Sequence, residues 1–175
     1  PTGSAAGTPM VEELVAGPDA ISEIYDAAPL GSLLVFSLDL GDADVELWKS
    51  NGTAAGTSPL GDLEPGPEGS YPENFFQLGS NLLFVADVEG QGTELWKTNG
   101  TVAGTAFVRD ILPGPASGNP YPLGVVGGKL LLQVEPAEDE GAVWVTDGTN
   151  GGTQPLVDPT PGTQTSSSPQ RFFDA

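Results

Sequence analysis

Trp48, Trp96 and Trp144 follow one another at intervals of 48 residues. A fixed period of that length is the signature of a repeat architecture and restricts the fold more than composition does. The surrounding text recurs in register. Glu46-Leu47-Trp48-Lys49-Ser50-Asn51-Gly52-Thr53 returns as Glu94-Leu95-Trp96-Lys97-Thr98-Asn99-Gly100-Thr101. A looser third copy runs from Ala142 to Thr149. A small-Gly-Thr step follows at Ala55-Gly56-Thr57, Ala103-Gly104-Thr105 and Gly152-Thr153, and a further one stands at Ala6-Gly7-Thr8. Each copy then enters a Pro/Gly loop.

The spacings divide each repeat into four short strands. First strands are expected at 75–78 and 123–126, second strands at 33–38, 82–86 and 130–134. Third strands are expected at 45–49, 93–97 and 143–145, and fourth strands at 106–111 and 154–157. The second strands are apolar on consecutive positions, as strands buried on both faces are. Four-stranded sheets sandwiched between neighbours describe a β-propeller, with the tryptophans packed between blades. The units read as 1–17 (last strand of a preceding blade), 18–65, 66–113 and 114–162 (three blades), and 163–175 (start of a following blade). A β-trefoil or β-solenoid is the alternative. Propellers close with four to eight blades. The chain, which starts at Pro1 rather than Met, therefore reads as a processed or excised piece of a larger protein, or as a unit that assembles with other copies.

The chain has 24 acidic against 5 basic residues and a net charge of −19. That charge repels nucleic acid and anionic membrane surfaces, and no apolar run is long enough for membrane insertion. With no Cys and no His, disulfides, Cys/His zinc sites and imidazole-based triads are excluded. Gly (25) and Pro (17) are abundant, but runs such as Leu82-Leu83-Phe84-Val85 argue for an ordered core rather than disorder.

The Glu-Leu-Trp-Lys-Ser/Thr-Asn-Gly-Thr text, with its following Ala-Gly-Thr, resembles the bacterial ELWxxDGT repeat family, as does Asp110-Ile111-Leu112-Pro113-Gly114. The resemblance spans essentially the whole chain. The motif Asp is Asn51 and Asn99 in two copies and Asp147 in the third, which also lacks the Glu-Leu pair. The resemblance implies an extracellular or cell-surface setting and supplies no catalytic residues.

In a propeller blade the second-to-third turns and the inter-blade loops share one end. Most of the acids fall there, which makes that end strongly acidic and the Asn-Gly end nearly uncharged. Oxygen-rich acidic turns suit Ca²⁺. The alternation Asp42-x-Asp44-x-Glu46, with Asp39 beside it, sets carboxylates on one side of an extended turn. Asp87, Glu89 and Glu94 make a thinner version. These seven residues are the candidate metal ligands and Ca²⁺ the candidate cofactor; a solvated acidic rim is the plainer alternative. Asn51 and Asn99 open Asn-Gly-Thr sequons, although Asn-Gly and Asp-Gly also suit tight hairpin turns. Tyr71 and Tyr121, in loops of small residues, either stack on a sugar or cap the core.

Three functions follow. The first is a non-enzymatic extracellular module for binding, adhesion or surface attachment, taking a protein or glycan partner through its acidic face. The second is a structural unit self-assembling head to tail with other copies into a ring or filament. The third is a propeller glycoside-active enzyme using two carboxylates. Repetition argues against the third, because a catalytic site tends to break repeat symmetry.

Overall fold

The computed structural model describes residues 22–40, 44–134 and 142–156. They form twelve strands in three four-stranded antiparallel sheets. Sheet 1 contains β1 (Glu23–Leu30), β2 (Leu33–Asp39), β3 (Glu46–Ser50) and β4 (Ser58–Pro59). Sheet 2 contains β5 (Glu73–Leu78), β6 (Asn81–Val88), β7 (Gly92–Thr98) and β8 (Ala106–Arg109). Sheet 3 contains β9 (Tyr121–Val126), β10 (Lys129–Val134), β11 (Ala142–Thr146) and β12 (Gln154–Pro155). Each sheet is a meander in which every strand pairs only with its sequence neighbours. The strands expected from the sequence are present within a few residues. The exceptions are the fourth strands, which are shorter: β8 ends at Arg109 rather than Ile111, because Ile111 leaves the ladder to donate its N–H to Glu94. The flanking units expected at 1–17 and 163–175 lie outside the described residues.

The sheets stack face on face through the second and third strands. On β6, Leu82 to Ala86 are all buried. Leu82, Phe84 and Ala86 pack with Val35 and Leu47 of sheet 1, while Leu83 and Leu95 pack with Leu130, Leu132 and Val134 of sheet 3. Successive residues of a strand point to opposite faces, so an unbroken apolar run is what a middle sheet needs. β10, by contrast, buries only Leu130, Leu132 and Val134, with less buried residues between them. Complete burial of one such side chain stabilises by about 2 kcal/mol.

The tryptophans keep the repeat. Trp96 packs against the core between sheets 1 and 2, and Trp144 against the core between sheets 2 and 3. Each is half-buried, as is Trp48. Trp48 and Trp144 stand opposite Pro59 and Pro155 on the short outermost strands, where a missing N–H is tolerated. Trp96 stands opposite Phe107, with ring centroids 5.3 Å apart in an edge-on contact.

The first strands converge. β1 packs beside β5, and β5 beside β9, whereas the outermost strands β4, β8 and β12 have no comparable contact with one another. The three sheets therefore fan out from a common inner side formed by their first strands. Every first strand carries a bulge near its start, which re-aims side chains at the mouth of the fan.

Candidate functional site

The two ends of the sheets are built from different repeat residues. At one end stand the Asn-Gly and Asp-Gly turns. Asn51 Oδ1 accepts the N–H and hydroxyl of Thr53, whose own Oγ1 accepts the Gly56 N–H. The same set recurs at Asn99, Thr101 and Gly104, and at Asp147, Thr149 and Gly152. Since Oδ1 is the working acceptor, Asn and Asp serve equally at this turn. Hydrogen bonding from Thr149 holds the Asp147 carboxyl below its usual range. A methyl group on Gly56, Gly104 or Gly152 would overlap the Asn51, Asn99 or Asp147 side chain, so the Gly of the small-Gly-Thr step is a steric requirement. Lysines tie this end together across sheets. Lys49 Nζ donates to the Gly100 carbonyl at 3.0 Å, and Lys97 Nζ to the Gly148 carbonyl at 2.9 Å.

At the other end the loop between sheets 1 and 2 meets the turn between β6 and β7. The Glu89 N–H donates to the Glu64 carboxylate at 2.7 Å, and the Asp87 N–H to the Ser70 carbonyl at 2.8 Å. Glu46 and Glu94 anchor this end. Glu94 is completely buried. Its Oε2 accepts the Ile111 N–H at 2.8 Å, and its Oε1 accepts those of Leu112 at 3.3 Å and Gly118 at 2.8 Å. Glu46 does the same for Leu63, Glu64 and Ser70. Each carboxylate thus folds the loop that leads to the next sheet. Burial pushes the Glu94 carboxyl up to about 7 against the opposing pull of its three amide donors, and raises Glu46 in the same direction.

The candidate metal ligands divide accordingly. Glu46 and Glu94 spend their oxygens on backbone amides. Asp39 and Asp44 are partly exposed, Asp87 and Glu89 exposed, and Asp42 lies outside the described residues. Among the described residues no group of three or more carboxylates gathers as a metal site.

A cleft of about 440 Å³ opens on the same end, between sheets 2 and 3 on the inner side of the fan. It is lined by Glu73, Asn74, Val85, Thr93, Asn119, Tyr121 and Gln133. Two equivalent cross-strand pairs face it, Glu73 with Val85 on sheet 2 and Tyr121 with Gln133 on sheet 3. Its origin is a break in the repeat. Between sheets 1 and 2, Asp26 Oδ2 accepts the Asn74 N–H at 2.9 Å, while the Asp26 N–H donates to Ser37 Oγ at 2.9 Å. One repeat later Asn74 stands in place of Asp26, Val85 in place of Ser37, and Pro122 in place of Asn74. Pro122 has no N–H to give. The clamp cannot form, and β5 and β9 touch over a shorter stretch than β1 and β5.

Backbone geometry marks the same place. Three non-glycine residues have positive φ among those described: Tyr71 (46°), Asn74 (58°) and Asn119 (43°). Two of the three line the cleft. Tyr71 and Tyr121 are 47% and 41% exposed, so neither is a buried cap on the core. The cleft escaped the reading of the sequence, although alignment of Asp26, Asn74 and Pro122 carries its signal. No protein-family model, curated protein or solved structure matches this chain.

Proposed function

We propose that the chain is a run of β-propeller blades serving as a non-enzymatic extracellular binding module, with its acidic loop end as the binding face. The observation that carries this reading is the cleft between β5 and β9, opened at the one described interface where the inter-sheet clamp is lost. Fanned sheets with adjacent first strands favour a propeller over a trefoil, in which repeats share barrel strands. The resemblance to ELWxxDGT repeats supports the extracellular setting.

The lining favours binding over catalysis. Glu73 is the single carboxylate among the described lining residues, and glycoside hydrolysis ordinarily requires two flanking the scissile bond. Head-to-tail self-assembly is disfavoured by Val145, which stands where Lys49 and Lys97 make their ties to the next sheet. A joint formed by sheet 3 of one copy on sheet 1 of another would lack that bond.

A ligand-observed NMR screen of small polar compounds tests the reading. Compounds are expected to bind the wild type and to lose binding when Gln133→Trp fills the cleft. Hits indifferent to Gln133→Trp, or no hits at all, would remove the cleft as the binding site.

A further inference from the structure

We propose that Tyr25 and Tyr71, with the Glu23 and Asp39 carboxylates beside them, form a docking surface for the cationic side chains of a basic protein segment, arginine above all. This surface shares the acidic loop end with the cleft between β5 and β9. It lies at the other interface, between sheets 1 and 2, and does not depend on the cleft.

The surface begins with an unfavourable pair. Glu23 on β1 and Asp39 on β2 are direct cross-strand partners, and like charges facing each other across antiparallel strands destabilise a sheet. Glu23 is exposed and Asp39 partly exposed. The repeat does not demand this pair, because one repeat later Tyr71 and Asp87 occupy the two positions. A cation bridging the carboxylates removes the repulsion, and the described residues bring none there. Residues 1–48 contain no Lys or Arg. Lys49, Lys97 and Arg109 donate to Gly100, Gly148 and Asn150, in turns of the opposite end. Lys129 opens β10 near Asp147 at that same end, and Arg171 lies outside the described residues.

Two exposed rings stand beside the pair. Tyr25 follows Glu23 by two residues, where β1 is bulged between Ile24 and Ala27, a bend that re-aims side chains. Tyr25 is 57% exposed and Tyr71 47%. Partial desolvation, then the charges of Glu23 and Asp39 and the Tyr71 phenol, raise the Tyr25 hydroxyl above its usual range. The two carboxylates and the two phenols therefore share one neighbourhood. The frame is fixed: the Tyr71 N–H donates to the Val45 carbonyl at 3.1 Å, and Asp26 clamps the Asn74 N–H across the two sheets. Aromatic faces attract cations, and a guanidinium both stacks on a ring and forks a carboxylate. The surface uses ring faces and negative charge, so it needs no unengaged hydroxyl. A hydrated metal ion gains from the carboxylates alone, whereas an arginine gains from both. The net charge of −19 steers a basic partner towards the chain.

The test is titration of the whole chain with a short oligo-arginine peptide at low ionic strength, read by calorimetry and amide chemical shifts. The peptide is expected to perturb residues around Glu23, Tyr25, Asp39 and Tyr71, and to bind more weakly as salt is added. Tyr25→Leu keeps the apolar bulk and removes the ring; it is expected to weaken binding about three- to fivefold, and Tyr25→Phe to retain it. Glu23→Gln is expected to weaken binding while the melting temperature stays level or rises, a split that a purely structural carboxylate would not give. Glu89→Gln removes the same charge elsewhere at this end and is expected to do less. If binding ignores Tyr25→Leu, or if Glu23→Gln and Glu89→Gln act alike, acidity alone attracts the peptide and the proposal falls. It falls too if CaCl₂ displaces the peptide more than NaCl of equal ionic strength and the tyrosine variants do not matter, since the site would then hold a metal. Binding lost in Gln133→Trp but kept in Tyr25→Leu would put the cation in the cleft, overturning this surface and leaving the cleft reading standing. No binding at all overturns this surface alone.

Discussion

Lys97 reaches across from sheet 2 to the Gly148 carbonyl of sheet 3, 2.9 Å away, just as Lys49 reaches Gly100 one repeat earlier. A charged donor on a backbone carbonyl at a partly buried site is worth more than an exposed ion pair. Lys97→Met keeps the stem and removes the donor. It is expected to destabilise the fold by about 1–2 kcal/mol, measured by urea unfolding.

Glu94 holds three amides of a loop that has no ladder of its own. Glu94→Gln turns one acceptor oxygen into an amide donor facing an N–H. The expected loss is about 1–3 kcal/mol, and the backbone N–H groups of Ile111 and Gly118 should exchange faster with deuterium. Unchanged exchange there would show that the loop does not depend on this carboxylate.

The same residue sets a pH dependence. Its folded-state pKa of about 7 lies above the ordinary 4.5. Such a group favours folding fully below its unfolded pKa, and that contribution is lost as pH rises through the folded value. Stability is therefore expected to fall between pH 4.5 and 7, with Glu94 contributing up to roughly 3 kcal/mol of the change. Glu46 acts in the same direction, as does the growing negative charge. Melting temperatures across this window check it, and Glu94→Gln should flatten the profile.

Gly104 leaves no room for a side chain beside Asn99. Gly104→Ala must displace the Asn99 amide from Thr101, with an expected cost of about 2 kcal/mol or more. The double variant with Asn99→Ala should be far less than additive, because both changes break one turn.

Salt should stabilise the chain by screening its charge of −19. Because Glu46 and Glu94 are engaged by amides, CaCl₂ is expected to raise the melting temperature no more than NaCl of equal ionic strength. A selective Ca²⁺ effect would instead gather Asp39, Asp42 and Asp44 around an ion.

The strands and the packed tryptophans were legible because both follow from local periodicity. Leu82 to Ala86 could only be a strand buried on two faces, and the structure places it in the middle sheet. Glu46 and Glu94, candidate metal ligands by their alternation with neighbouring acids, are found accepting backbone N–H groups of the loops that follow. Both glutamates stand two residues before a tryptophan on the same strand, hence on its packed face; that spacing carried the correct signal. The cleft depends on what Pro122 fails to donate to, which becomes visible only once β5 and β9 are known to be neighbours.

The most direct measurement is an amide chemical-shift map of the chain titrated with the small polar compound that binds it best. Perturbations are expected only at residues around Glu73, Asn74, Thr93, Asn119, Tyr121 and Gln133. Perturbations centred on the Asn51, Asn99 and Asp147 turns would contradict that expectation.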